Sequence, residues 1–269
     1  MALDLKHLTK QILPHGVTEY SVRRHAFLRM GLSNRRASTL ALRAEPYSAI
    51  CDARLDLLPR EITAHLRTCV DAGAHEGSWT RALQTIFDPQ QIVLVECEPK
   101  LVDKLRRTFG RDPGISVVDA ALSGEDSSAD FYQLQHPAAS SLLRPRTEIG
   151  REFEAKSWHV VSQVRVRTVS YDRLVENYEE VSILKLDIQG SEATVLRSSV
   201  SGLKKTKAVI MEVLFLSHYE NDSTFPRLHE LMEQRGFGLY RLSDTYHRGG
   251  RALFADAVYV QEAILQAQA

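Results

Sequence analysis

The sequence predicts an α/β fold built around a parallel sheet, and three observations carry that prediction. From residue 66 onward, short apolar runs alternate with amphipathic stretches of about ten residues, the rhythm of successive βαβ units. Of the 269 residues, 43% are hydrophobic, and 34 basic side chains balance 34 acidic ones, which excludes a disordered chain. No apolar stretch reaches the roughly 18 residues that a membrane span needs. The opening MALDLKHLTKQILPHG carries charges and lacks the apolar core of a secretory signal. The even charge balance also argues against a generic nucleic-acid binder, which would show a basic excess. Cys51, Cys69 and Cys97 form no CxxC pair and read as thiols in a reducing compartment, so a cytoplasmic protein is expected.

The chain divides into an N-terminal helical extension, residues 1–60, and a larger unit, residues 61–269. Arg23, Arg24, Arg29, Arg35, Arg36, Arg43, Arg54 and Arg60 crowd the extension, opposed by Asp4, Glu19, Glu45, Asp52 and Asp56. Val22, Leu28, Leu32, Leu40 and Leu42 recur at loosely helical spacing and predict two or three short helices packed on the rest. That basic surface reads as a solvated helical face or as a docking face for an anionic acceptor.

The larger unit opens with an apolar run, Leu66 to Asp71, followed by a helix over Trp79 to Phe87. QIVLVE at Gln91 is a second strand. PKLVDKLRRTF is a helix with proline at its start, and ISVVD at Ile115 is a third strand. Asp130 to Leu134 and Val160 to Val169 read as strands that enclose a loop-rich segment, Gln135 to Trp158, with the character of a lid. The βα rhythm then returns: a strand at Ile183 to Asp187, a helix at Glu192 to Ser199 and a strand at Ala208 to Phe215. A helix over Phe225 to Arg235 is closed by Gly236, and Gly238 to Leu242 with Ala257 to Gln261 form a closing hairpin.

The strongest local signal is VDAGAHEGSWT, from Val70 to Thr80, where the first strand turns into a helix. Gly73 and Gly77 let the backbone turn tightly and let a ligand approach it. A dinucleotide fingerprint would require glycine at His75 and Ser78, so it does not fit. A P-loop does not fit either, because Gly77 is followed by Ser78 and Trp79 where that loop has GK and a hydroxyl residue. Asp-x-Gly-x-x-x-Gly suits S-adenosylmethionine (SAM) instead. Asp71 can meet its ammonium, and the backbone N–H groups around Ala74 and His75 can meet its carboxylate. At the end of the second strand, Glu96 or, preferably, Glu98 can accept both ribose hydroxyls. Asp119 and Ala120, at the end of the third strand, suit the adenine amino group and ring.

These residues resemble the FkbM-type methyltransferases, a family of class I SAM-dependent enzymes. The resemblance rests on Val70 to Thr80, Glu98-Pro99, Ala121-Leu122-Ser123, Ser140-Ser141-Leu142, the KLDIQGSE block at Lys185 to Glu192, and VIME at Val209 to Glu212. It runs from about residue 66 to 242 and implies a doubly wound, seven-stranded, mostly parallel sheet. It also implies SAM as cofactor and methylation of a hydroxyl on a carbohydrate or secondary metabolite. Two positions depart from the family pattern: Gln189 stands where glutamate is usual, and Ser182 where aspartate is usual. Asp172 is kept.

Strand alternation puts Lys185 and Asp187 on one face of the sheet. Asp187 ends its strand, so it is the first candidate for a general base and also belongs with the cofactor-binding residues. Glu212 is the second candidate and His218 the third, with Lys185 beside them. Asp187 could also serve as a metal ligand, but no clear metal-ligand spacing appears, so a metal is not indicated. The expected partner is a small-molecule or glycan acceptor, with homodimerisation left open. An N-methyltransferase and a non-catalytic SAM-fold binding module are the alternatives.

Overall fold

Alternate residues of each central strand feed two separate cores. Val70 and Ala72, Val93 and Val95, Leu184 and Leu186, and Val209 and Met211 point to one side; Cys69, Ile92, Leu94, Ile183, Ala208 and Ile210 point to the other. Strands apolar on both faces need a cover on both faces, which is the requirement that the intervening helices meet. The structure, a computed structural model, describes residues 19–30, 32–41, 53–146, 148 and 155–267. Asp4, Leu42, Arg43, Glu45, Cys51 and Asp52 of the N-terminal extension lie outside the described residues.

The main sheet has the order β10-β11-β8-β7-β1-β2-β3, with β9 also paired to β11. Its strands are β1 (Thr68–Ala72), β2 (Gln91–Glu96), β3 (Ile115–Asp119), β7 (Val181–Leu186), β8 (Thr206–Leu214), β9 (Phe237–Leu242), β10 (Tyr246–Arg248) and β11 (Arg251–Gln261). The five strands from β3 to β8 are mutually parallel, and β11 returns antiparallel against β8. The seven strands implied by the resemblance are all present. The three-residue β10 adds an eighth, made when β11 runs past β9 and pairs with its own upstream hairpin. Strand order reverses between β1 and β7, so the crevice of a doubly wound sheet opens above their carboxyl ends.

One face is covered by α4 (Ser78–Ile86), α5 (Pro99–Phe109) and the N-terminal helices α1 (Glu19–Arg29) and α2 (Asn34–Ala41). In α5, proline occupies the first turn, and Val102, Leu105 and Phe109 form its buried stripe. Phe27, Met30, Ala37 and Ala41 are buried in the same core. The other face carries α7 (Glu192–Ser198), α8 (Ser201–Lys205) and α9 (Phe225–Gln234).

The strands expected at residues 130–134 and 160–169 lie outside the main sheet. β4 (Ala121–Ser123), β5 (Ser128–Leu134) and β6 (Val160–Ser170) form a three-stranded sheet in which β6 pairs parallel with β4 and antiparallel with β5. This small sheet carries Leu122 and Phe131 to the crevice wall.

Candidate active site

The turn that leaves β1 approaches the end of β7 so closely that only glycine fits. A Cβ on Gly73 would sit 1.9 Å from the Asp187 carbonyl oxygen, and the φ of +72° is one that L side chains avoid. Gly73 and Ala74 N–H both donate to Val95 O, at 3.0 and 3.1 Å. His75 N–H donates to Glu96 Oε2 at 2.9 Å, and Gly77 N–H to Ala74 O at 2.7 Å. These four amides are engaged within the turn. Ser78 at the start of α4 lines the crevice, and Gly77 leaves that helix start without a side-chain cap.

Above the strand ends lies a cleft of about 460 Å³. Gly73, Ala74, His75, Glu98, Ala120, Lys185, Asp187 and Glu212 line it, as the sequence led us to expect. Asp71, Gly77, Thr80 and His218 do not. Asp71 is fully buried beneath the turn; its Oδ2 accepts the Thr80 hydroxyl at 2.8 Å, and its Oδ1 lies 3.1 Å from Lys185 Nζ. It braces the turn from below and does not face a ligand. His218 is 3% exposed and sits among the rings of Trp158, Tyr219 and Phe254, and burial pushes its pKa down to about 4. A neutral imidazole packed off the cleft is not placed to take a proton there.

The two acidic residues after β2 have different roles. Glu96 is consumed by backbone: it accepts N–H groups of His75, Cys97 and Glu98 at 2.8–2.9 Å. Glu98 lines the cleft as the N-cap of α5, with no capping bond from its side chain. Of the two carboxylates, that of Glu98 is the one not taken up by backbone N–H groups among the described residues. Asp119 lies beyond this cleft, in an adjoining hollow that it shares with Glu98 and Ala120, and its carboxylate is 3.6 Å from Arg106.

Lys185 Nζ stands 3.1 Å from Asp71, 3.3 Å from Asp187 and 3.2 Å from Gly73 O. Burial opposes its charge, but the two carboxylates outweigh burial and hold its pKa above the ordinary lysine value. It is a fixed cation that orients Asp187, and not a base. Asp187 remains 44% exposed to the cleft. Glu212, on the adjacent strand, has no hydrogen-bond partner among the described residues. Burial, then the charges of Asp187, Asp256 and Glu192, push its carboxyl well above the usual range, with Lys185 opposing.

Sequence reasoning missed two residues of this wall. Arg54 and Asp256 both line the cleft, with Arg54 Nε 2.6 Å from Asp256 Oδ2 across 202 residues of chain. An aspartate within the apolar strand ALFADAVYV was a signal for Asp256, which stands opposite Glu212 in the ladder. Arg54 offered none. The departure at Ser182 leaves the cleft untouched: that side chain is buried near the start of β7, where it accepts Arg67 N–H at 2.9 Å. Asp172 is structural too, accepting the N–H groups of Val200, Ser201 and Gly202 at the start of α8.

A sheet of this order, with a glycine turn after β1 and an acidic residue after β2 around the crevice, is the architecture of a class I SAM-dependent methyltransferase. The methyltransferase FkbM domain matches residues 71–239, and the chain belongs to that family. Among solved structures, an FkbM methyltransferase from Methylobacillus flagellatus is 12% identical, with 91% of this chain and 63% of that one covered and a TM-score of 0.43. A magnesium protoporphyrin IX methyltransferase from Synechocystis with bound SAM is 9% identical, with 93% and 100% covered and a TM-score of 0.43. A putative RNA methyltransferase from Pyrococcus horikoshii is 11% identical, with 80% and 84% covered and a TM-score of 0.43. No curated protein sequence matches the chain. Among the described residues, no helix is long and apolar enough to cross a membrane, and no group of three or more His, Cys, Asp or Glu could hold a metal ion.

Proposed function

We propose that the chain methylates a hydroxyl on a small-molecule or glycan acceptor, and that Asp187 and Glu212 handle the proton of that hydroxyl. The observation that carries this reading is the pair of carboxylates, from adjacent strands, facing one cleft beside a cationic Lys185 that cannot itself act as base. The donor set fits the cofactor. The glycine turn leaves room for a ligand's close approach to backbone, Glu98 has an unengaged carboxylate, and Ala120 and Ala121 leave space for a flat ring. Bound there, SAM supplies a methyl group activated on a sulfonium. Glu98 would take the ribose hydroxyls, Ala120 would border the adenine, and the turn from Gly73 to Gly77 would wall the methionyl end, with Asp71 and Thr80 holding that turn from beneath.

The acceptor end of the cleft carries Asp187, Glu212 and Asp256 against only Lys185 and Arg54. That lining, which has no basic excess, supports a neutral, hydrogen-bond-donating acceptor over a polyanion such as nucleic acid. It would also suit an amine, which is why an N-methyltransferase remains the second reading. Cys69 and Cys97, both buried and free, suit a reducing cytoplasmic setting.

Transfer of labelled methyl from SAM to a panel of polyhydroxyl and amine acceptors tests the reading. With a hydroxyl acceptor, Asp187→Asn or Glu212→Gln lowers kcat about 10²–10⁴-fold, the contribution expected of a general base. Transfer to amines only, or full rates in both variants, would overturn it.

A further inference from the structure

Gln189 follows directly on Asp187's turn and sits in left-handed backbone, with φ +54°. A side chain other than glycine is held in that region only where neighbours over-determine it. Here three contacts do so. Gln189 Nε2 donates to Asp187 Oδ1 at 2.7 Å, the Tyr219 hydroxyl lies 2.9 Å from Gln189 Oε1, and Ser141 Oγ donates to the Gln189 carbonyl at 2.6 Å. The same Tyr219 hydroxyl is 2.9 Å from Ala139 O. Tyr219 is 1% exposed and packs against Gly190, whose φ is +94° and where an added Cβ would come within 2.9 Å of the ring. Ser141 and Ala139 belong to the loop at residues 135–146, whose Pro137, Ser140 and Leu142 wall the cleft.

The chemistry asks for an amide at this position. An ionised Asp187 only accepts, so Gln189 Nε2 adds a donor to the one Lys185 supplies, and Gln189 Oε1 shares the single Tyr219 hydroxyl proton with Ala139 O. A primary amide offers a donor and an acceptor in a fixed plane. An ionised glutamate would accept from Tyr219 but turn a second negative charge on Asp187. We propose that Gln189 is a positioning residue of the methyl-transfer site: its amide aims the Asp187 carboxylate into the cleft and ties it, through Tyr219 and Ser141, to the loop that walls the cleft. The proposal rests on the methyl-transfer reading only for the task assigned to Asp187.

Gln189→Glu reads the like-charge repulsion directly. The charged and titratable groups facing this position are Asp187 and Lys185 on and after β7, Asp71 on β1, Glu192 on α7, Glu212 on β8, Asp256 on β11, and Tyr219 and Asp222 in the loop after β8. They are unchanged in the variant, so the difference from wild type isolates residue 189. When protonated, the introduced carboxyl can still donate to Asp187 Oδ1. Its folded-state pKa is therefore raised, and its stabilising form is present below the unfolded carboxyl value and lost as pH rises through the folded one. Melting followed by circular dichroism, without cofactor or acceptor, gives Gln189→Glu roughly 2–4 °C below the wild type at pH 8 and a clearly smaller deficit at pH 5. The deficit disappears in the Asp187→Asn background, where the opposing charge is gone. Gln189→Ala, which removes the amide without adding charge, shows a deficit that is the same at both pH values. If Gln189→Glu does not fold at pH 8, recovery at pH 5 or in the Asp187→Asn background is the same positive result. A pH-independent deficit, no deficit, or a deficit that persists in the Asp187→Asn background overturns the proposal and leaves the methyl-transfer reading standing, because neither ligand enters the measurement.

Discussion

Glu192, the last residue of the KLDIQGSE block, shows how a motif position can belong to the scaffold. It is 3% exposed at the first turn of α7, and its Oε1 accepts Ile188 N–H at 3.1 Å. Burial pushes its carboxyl up to about 7, against the backbone bonds that favour its charge. The folded value lies above the unfolded one, so its stabilisation is complete below about pH 4.3 and is lost as pH rises through 7. Glu192→Gln keeps the acceptor and removes the titration. Urea unfolding between pH 5 and 8 should show the wild type losing up to about 3 kcal/mol relative to this variant, and parallel curves would refute the assignment. Residue identity at the site was largely legible, because Gly73, Glu98, Lys185, Asp187 and Glu212 follow from turn chemistry and strand ends. Depth was not. The motif contains Asp71 but does not reveal that Lys185, more than a hundred residues on, neutralises it below the surface. His218 likewise belongs to an aromatic cluster assembled from Trp158 and Phe254, which no local spacing reports.

Among the elements, βα periodicity located most strands and helices, since each must bury a stripe at its own period. The short pieces escaped. β4, β10 and α8 are too brief to show a period, and their existence is set by partners: β4 by β6, β10 by β11, α8 by the Asp172 carboxylate. The N-terminal helices are similar, because their spacing is irregular while their anchoring is firm. Phe27 is fully buried in the hydrophobic core that also holds Leu83, Ile92 and Leu105. Truncating it to alanine should cost about 3–5 kcal/mol in urea unfolding with a single cooperative transition. A loss under about 1 kcal/mol would mean that α1 rides loosely on the surface. Downstream of those helices the same segment delivers Arg54 to the cleft, where it meets Asp256, and Ala53 O accepts the Trp79 indole N–H at 3.1 Å. The cleft therefore includes side chains from before β1, outside the span that matches the family.

At the scale of the whole molecule, the balanced charge conceals a division of labour. Arg54 of the N-terminal segment reaches the cleft and pairs there with Asp256, on a wall that also carries Asp187 and Glu212. The doubly wound sheet brings the glycine turn, the acidic residue after β2, the carboxylate just after β7 and the Glu212 carboxylate within β8 to one crevice from widely separated positions in the chain. The central claim is that this crevice holds SAM with Glu98 on its ribose. Calorimetric titration with S-adenosylhomocysteine tests it most directly. One molecule should bind per chain, and Glu98→Gln, which removes a charged acceptor from two hydroxyls, should weaken binding about 10–100-fold. No binding to the wild type, or equal affinity in the variant, would contradict the account.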